Sequence, residues 1–250
     1  MTVDLLDVVR AERAPLDLAT YFDEKAARRY TGRRFESFGG GGDLAAVQDV
    51  ITAVDLLAVQ TLSVVVPAET AFALLDGDLG RQMAALLARV PADLELGTRD
   101  AREAVGARSA VLEAWQLLRD REDIGFVTAG KLIARKRPHL IPVYDRVIRC
   151  LYGRPQQVWV RLHDRLALEG GELRGELAAL RARAEAPPRV SLLRVLDVVL
   201  WMRHHDEHRE QDCPGFGTVS LERIDPDDAK PSALLERELL EREGLVSDEH

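Results

Sequence analysis

The densest chemistry in this sequence lies between Asp123 and Gly153, in DIGFVTAGKLIARKRPHLIPVYDRVIRCLYG. Asp145 stands where the N-cap of a helix belongs, and its carboxylate is placed to accept the N–H of Val147 or Ile148. The positive end of a helix dipole and those N–H groups favour the charged form of a carboxylate. Cations crowd the same stretch: Lys131, Arg135, Lys136, Arg137, Arg146 and Arg149. A second group, ARRYTGRRFESF from Ala27 to Phe38, interleaves Arg28, Arg29, Arg33 and Arg34 with Tyr30, Phe35 and Phe38. Arginines and aromatics mixed in this way suit a phosphate grip or stacking on a base. They equally suit a surface turn whose rings plug a core. Asp145 carries the same double reading, because everything that favours it as a reactive carboxylate also describes a good cap.

The elements that must hold these groups are a helix, a basic hairpin and a second helix. Gly125 opens the first, and Val127, Ala129, Leu132 and Ile133 give it an apolar face. Pro138 stops it, having no N–H and forcing the preceding residue out of the α region. Pro142 keeps the chain extended, Asp145 starts the second helix, and Gly153 takes the C′ position after Leu151 and Tyr152.

The order Gly125, Thr128, Ala129, Pro142, Val143, Asp145, Ile148 resembles the helix-hairpin-helix motif of DNA glycosylases of the endonuclease III and MutY type, and matches without a gap. The resemblance covers about thirty residues of the 250. It implies that Asp145 is the catalytic carboxylate, orienting a water or stabilising a sugar cation as the base leaves. It also implies that Gly125, Thr128, Lys131, Arg135, Lys136, Arg137, Arg146 and Arg149 meet a DNA backbone, joined by Arg33, Arg34 and Tyr30. Two positions depart from the pattern: Asp123 replaces the first glycine of the turn, and Val127 stands where bifunctional members carry a Schiff-base lysine. The resemblance therefore implies no lyase step. The whole chain also resembles an uncharacterised actinobacterial protein family with the pattern V-T-A-G-K-L-x-A-R-K-R-P-x-L-I-P-V-Y-D. Two other functions stand beside the enzyme: a non-catalytic nucleic-acid-binding protein using the same hairpin, and a non-enzymatic helical domain that binds an anionic small molecule or a protein partner.

Net charge is −8, which argues against a general nucleic-acid binder, but the charge is segregated. Thr128 to Arg165 carries nine Lys/Arg against two Asp, a net +7, whereas His204 to His250 carries a net −9. If the hairpin meets phosphate, Arg135, Lys136 and Arg137 are expected to be exposed and on the same side as Arg33 and Arg34. Cys150 and Cys213 do not suggest a disulfide framework. His204, His205, Asp206, His208 and Asp212 lie near one another, but without a distant partner they read as a solvated helix end rather than a metal site. No cofactor is expected. No apolar run of membrane-spanning length and no signal peptide is present, so the expectation is a cytoplasmic protein away from membranes. The oligomeric state is left open.

No stretch shows convincing strand alternation, and the expected fold is all-α. Residues 1–205 are expected to form one globular helical domain, with a hinge at Gly39–Gly42 that can divide it into two lobes. Residues 206–250 read as an acidic appendage with one short helix over Ala229–Gly244. Leu44–Val64, capped by Asp43, and Leu192–His204, capped by Ser191, are expected to be the most buried helices. Asp55 inside the first needs a partner, for which an arginine is expected, and Arg194 and Asp197 on the second are spaced to satisfy each other. Asp100–Arg119 is expected to be a continuous helix.

Overall fold

The computed structural model describes residues 3–25, 30–152 and 158–209. Among them every regular element is helical. The α-helices are α1 (Leu5–Arg10), α2 (Ala14–Phe22), α3 (Ala53–Gln60), α4 (Ala68–Leu75), α5 (Asp78–Leu87), α6 (Ala101–Ala104), α7 (Ala110–Arg119), α8 (Phe126–Lys136), α9 (Arg146–Tyr152), α10 (Val158–Ala167), α11 (Glu172–Arg183) and α12 (Leu192–Arg209). Short 3-10 turns occupy Thr31–Arg34, Phe38–Gly40 and Leu168–Gly170. Arg28, Arg29, Gly153, Arg154, Cys213 and the acidic stretch from Glu210 onward lie outside the described residues.

The chain packs around two helices. α12 lies against α1, α2, α9 and α11, while α8 lies against α3 and α7, and α7 in turn meets α5. The α8–α9 hairpin therefore has one arm in each group. Over residues 192–202 α12 is buried nearly all round, as its apolar sequence there demands: Val195, Val198, Val199 and Leu200 are all at 2% exposure or less. The Ser191 hydroxyl accepts the N–H of Arg194 at 3.1 Å and so caps it.

The other helix expected to be central is not one helix. Leu44–Asp49 forms turns, and α3 begins only at Ala53. The cause is local. The Thr52 hydroxyl accepts the N–H of Asp55, and an Asp55 oxygen accepts the N–H of Thr52, a closed capping box that fixes the helix start. Asp43 is not a cap and lies 3.7 Å from Arg189. The element is also not among the most buried, since Leu44, Val50, Val54 and Leu57 are 38–50% exposed. Asp100–Arg119 is likewise broken, because the Ser109 hydroxyl accepts the N–H of Leu112 at 3.2 Å and starts α7 afresh.

The hairpin unit follows the sequence signals closely. Gly125 is the extended N-cap of α8, and Arg137 ends it ahead of Pro138. The Arg137 carbonyl then accepts from Leu140 and Ile141, which turns the chain toward α9. Asp123, one of the two departures from the glycosylase pattern, has a structural task here. Both of its oxygens accept from the Thr70 hydroxyl, at 2.7 and 2.9 Å, which ties α4 to the entry of α8.

Candidate functional site

The basic run at the end of α8 was expected at the surface, and it is in the core. Lys131, Arg135, Lys136 and Arg137 are exposed by 4, 1, 0 and 0%. The physical reason is the set of acceptors that surrounds them. Asp55 lies between two cations, 3.0 Å from Arg135 Nε and 2.9 Å from Lys136 Nζ. The Arg135 guanidinium also donates to the carbonyls of Phe35, Glu36 and Phe38. Arg137 donates to the carbonyls of Leu87, Val90, Gln48 and Lys136 and to Asp49, over 2.6–2.9 Å. Lys131 Nζ donates to the Leu62 carbonyl at 2.6 Å. A buried charge is tolerated only when it is paired and its donors are used, and here both conditions hold. These residues do not form an exposed face with Arg33 and Arg34. They fasten the segment 35–52 and the end of α5 to α8. Thr128, also expected to meet DNA, is buried at 1%, and Gly125 is buried as the cap of α8.

Of the remaining sequence-expected cations, Arg34 is exposed and sits 5.3 Å from the centroid of the Phe38 ring. Arg33 donates to the Tyr30 carbonyl at 3.0 Å. Arg146 and Arg149 are half-buried on α9, with the Arg149 guanidinium 4.6 Å from the centroid of Phe126. The basic residues are thus spread over several surroundings rather than gathered on one face.

Asp145 is where the sequence places it. One carboxylate oxygen accepts the N–H of Ile148 at 2.9 Å, and its side chain is half-buried. What the sequence did not reveal is its electrostatic surroundings. Its charge is felt by Tyr21, Arg194 and Asp197, which form a buried polar group between α2 and α12. Arg194 is paired with Asp197 and donates to the Tyr21 hydroxyl at 2.6 Å and to the Gly32 carbonyl at 3.1 Å. Gly32 makes this approach possible: a Cβ there would stand 2.2 Å from the Tyr21 hydroxyl oxygen and 3.0 Å from Arg194 Nη2. Glu36 joins from the side, accepting from the Ser191 N–H at 2.9 Å and from its hydroxyl at 2.7 Å.

Aromatic rings border the polar group. Tyr30 stacks on Tyr21 with centroids 5.1 Å apart, and Trp201 meets Tyr30 edge-on at 5.6 Å. His205 stacks flat on Trp201 at 4.3 Å. Tyr30 and Trp201 are both part-exposed. The result is a carboxylate at a helix start, a second carboxylate beside an arginine, and two partly open rings suited to a planar group. A water-sized cavity of about 20 Å³, lined by Glu95, His139 and Arg174 among others, does not include Asp145.

The electrostatics follow from burial. Desolvation pushes the Asp197 carboxyl up from 3.8 to about 7, with Arg194 opposing the shift and Asp145 adding to it. Burial also raises the Tyr21 hydroxyl to about 12. Burial works against the charge on Arg194, but Tyr21, Asp197, Glu36 and Asp145 outweigh it and its pKa is raised.

The sequence alone did not single out Tyr21, Trp201 or His205 as site residues. The usable signal was Asp197 and Arg194, two charges in an otherwise apolar run, with Trp201 one turn and His205 two turns beyond Asp197. A family model spans residues 14–204, taking in every residue of this group except His205. The chain belongs to the family of unknown function DUF6308. No curated protein and no solved structure matches it. For this DUF6308 protein, then, the group around Asp145 must be read from its own chemistry.

One consequence is a pH dependence. A carboxyl raised in the folded state takes up its proton there at a pH where the unfolded chain is still charged. Its contribution to stability therefore falls as the pH rises from about 4 to about 7. Denaturant titrations of wild type and Asp197→Asn across that range check it. The wild-type stability, relative to the variant, is expected to decline with rising pH, and parallel profiles would refute the shift. Glu36, whose carboxyl desolvation also raises, is present in both proteins and cancels.

Proposed function

We propose that this chain is a DNA-associated helix-hairpin-helix protein with glycosylase-like hydrolase activity at Asp145 and no lyase step. The observation that carries this reading is the placement of the Asp145 carboxylate. It begins α9, uses one oxygen on Ile148, and lies within electrostatic range of Tyr21, Arg194 and Asp197, a group bordered by the rings of Tyr30 and Trp201. A base taken out of a strand needs a planar surface, which those rings supply. A carboxylate held by a helix N-terminus can stabilise the positive charge that develops on a sugar as its bond to the base breaks. Water then completes the hydrolysis. Val127, 2% exposed on α8, stands where a lyase would need an amine, which supports the lack of that step.

The burial of Arg135, Lys136 and Arg137 takes phosphate ligands away from the first reading and favours a second, a non-enzymatic helical domain with a protein partner. Among the described cations that the sequence reading assigned to DNA, Arg34 is the exposed one. The two readings separate in one experiment. Under the first, wild type binds DNA with a marked salt dependence and releases a base from some member of a panel of damaged or mismatched duplexes. Asp145→Asn then folds and binds equally well, since Asn caps nearly as well as Asp, but loses release by about a hundredfold or more. Wild type that neither binds DNA nor releases any base leaves only the second reading.

A further inference from the structure

α9 has one outward face, and its chemistry is uniform. Val147, Ile148 and Leu151 are buried, while Arg146, Arg149 and Cys150, spaced to share a side of the helix, are part-exposed. From Arg146 to Tyr152 the helix holds two arginines and no acid. Two part-exposed rings stand beside it. Phe126 and Tyr144 have centroids 6.4 Å apart, and the Arg149 guanidinium lies 4.6 Å from the Phe126 centroid. Guanidiniums held against rings suit a partner that offers carboxylates and aliphatic side chains together.

The same chain supplies such a partner. Residues 210–250 hold twelve Asp/Glu against four Lys/Arg, a net −8, which is the whole net charge of the protein. Between Leu234 and Leu245, Glu236, Glu238, Glu241 and Glu243 stand among Leu235, Leu239 and Leu240. This segment also starts in the right neighbourhood. α12 packs against α9 and runs on to Arg209, so residue 210 continues directly from the helix alongside the arginine face. Tethering of this kind holds a segment at an effective concentration on the order of millimolar, at which a contact of modest strength stays occupied.

We propose that the face of α9 bearing Arg146 and Arg149, with Phe126 and Tyr144 beside it, is the docking site of this chain's own C-terminal segment, engaged through residues 234–245. Its glutamates meet the guanidiniums and its leucines meet the rings. The contact has a regulatory consequence, which rests on the reading of Asp145 given above. Arg146 directly follows Asp145, so an acidic segment docked there lies next to that carboxylate and repels the phosphates of an arriving strand.

Cys150, on the same face, reports the docking in the full chain once Cys213→Ser leaves it as the one thiol. Its reaction with iodoacetamide is expected to be slow in that parent protein. Changing Glu236, Glu238, Glu241 and Glu243 to Gln should speed it about tenfold, and Leu235→Ser with Leu239→Ser should do the same without any change of charge. Added salt should speed the parent as well. A rate that stays at the parent level in either variant overturns the docking, whatever happens to DNA binding. A short single-stranded DNA reads the consequence: at low salt the glutamine variant should bind it about tenfold more tightly than the parent. Raised thiol rates with equal DNA affinities overturn the shielding of Asp145. Raised thiol rates with no DNA binding by either protein uphold the docking and remove the DNA reading instead.

Discussion

Asp55→Ala should lower the stability of the folded protein by about 3–5 kcal/mol, because it strands two buried cations at once. Arg135 and Lys136 are at 1% and 0% exposure, and Asp55 is the shared counter-ion within 3.0 Å of both. Arg135 retains the carbonyls of Phe35, Glu36 and Phe38, so its donors remain largely used while its charge does not remain balanced. Lys136 loses more. Burial already lowers its pKa, and Asp55 is what opposes that shift. Without the acid, the ammonium either stays charged in an apolar surrounding or gives up its proton. The substitution also opens the capping box with Thr52, at a further cost of about 1 kcal/mol. Asp55→Asn separates the contributions, since an amide keeps much of the cap and removes only the charge. Chemical denaturation of the three proteins measures the effect. A loss for Asp55→Ala below about 1 kcal/mol would mean that water reaches these cations in the native state.

The second large effect is at Arg137. Arg137→Met preserves an apolar stem of similar length and is expected to cost about 3–5 kcal/mol through hydrogen bonding alone. The guanidinium serves the carbonyls of Leu87 and Val90 at the end of α5 and those of Gln48 and Lys136, besides Asp49. Removing the fork leaves several acceptors without donors in a place where Arg137 itself is fully buried. Arg137→Lys tests geometry against charge. A single ammonium cannot span carbonyls on three segments, so it should recover less than half of the loss. Hydrogen exchange should show the residues around Gln48 and Val90 opening together in Arg137→Met, and independent opening would contradict the staple.

What the sequence disclosed and what it hid divide along physical lines. Signals that act within a turn of chain were legible: Gly125 and Pro138 bound α8, Asp145 caps α9, Ser191 caps α12, and Arg194 meets Asp197 three residues on. The demand that Asp55 find an arginine was also legible, because a carboxylate amid apolar residues has few other solutions. The length of α3 was misjudged although its signal was local: Thr52 and Asp55, three apart, form the box that starts it. The surroundings of Arg135–Arg137 were a different matter. A basic run beside a proline reads as surface because cations are rarely buried. Here the acceptors come from residues 35–55 and 87–90, and no local pattern announces them. The candidate site divides in the same way. Asp145 was visible as a helix start, but Tyr21 and Arg194, which feel its charge, come from opposite ends of the chain.

The buried acid of α3 also has a bearing on how the protein is made. Asp55 leaves the ribosome eighty residues before Arg135 and eighty-one before Lys136. Until they follow, the carboxylate has no counter-ion and nothing draws it beneath the helix. The carbonyls of Phe35 and Phe38 wait still longer, with separations of 100 and 97 residues. The segment from Phe35 to Gln60 thus gains its anchor only when α8 has been synthesised. A nascent chain halted before Lys131 would present that segment, with its valines and leucines, as unanchored apolar chain open to chaperones or to neighbouring polypeptides.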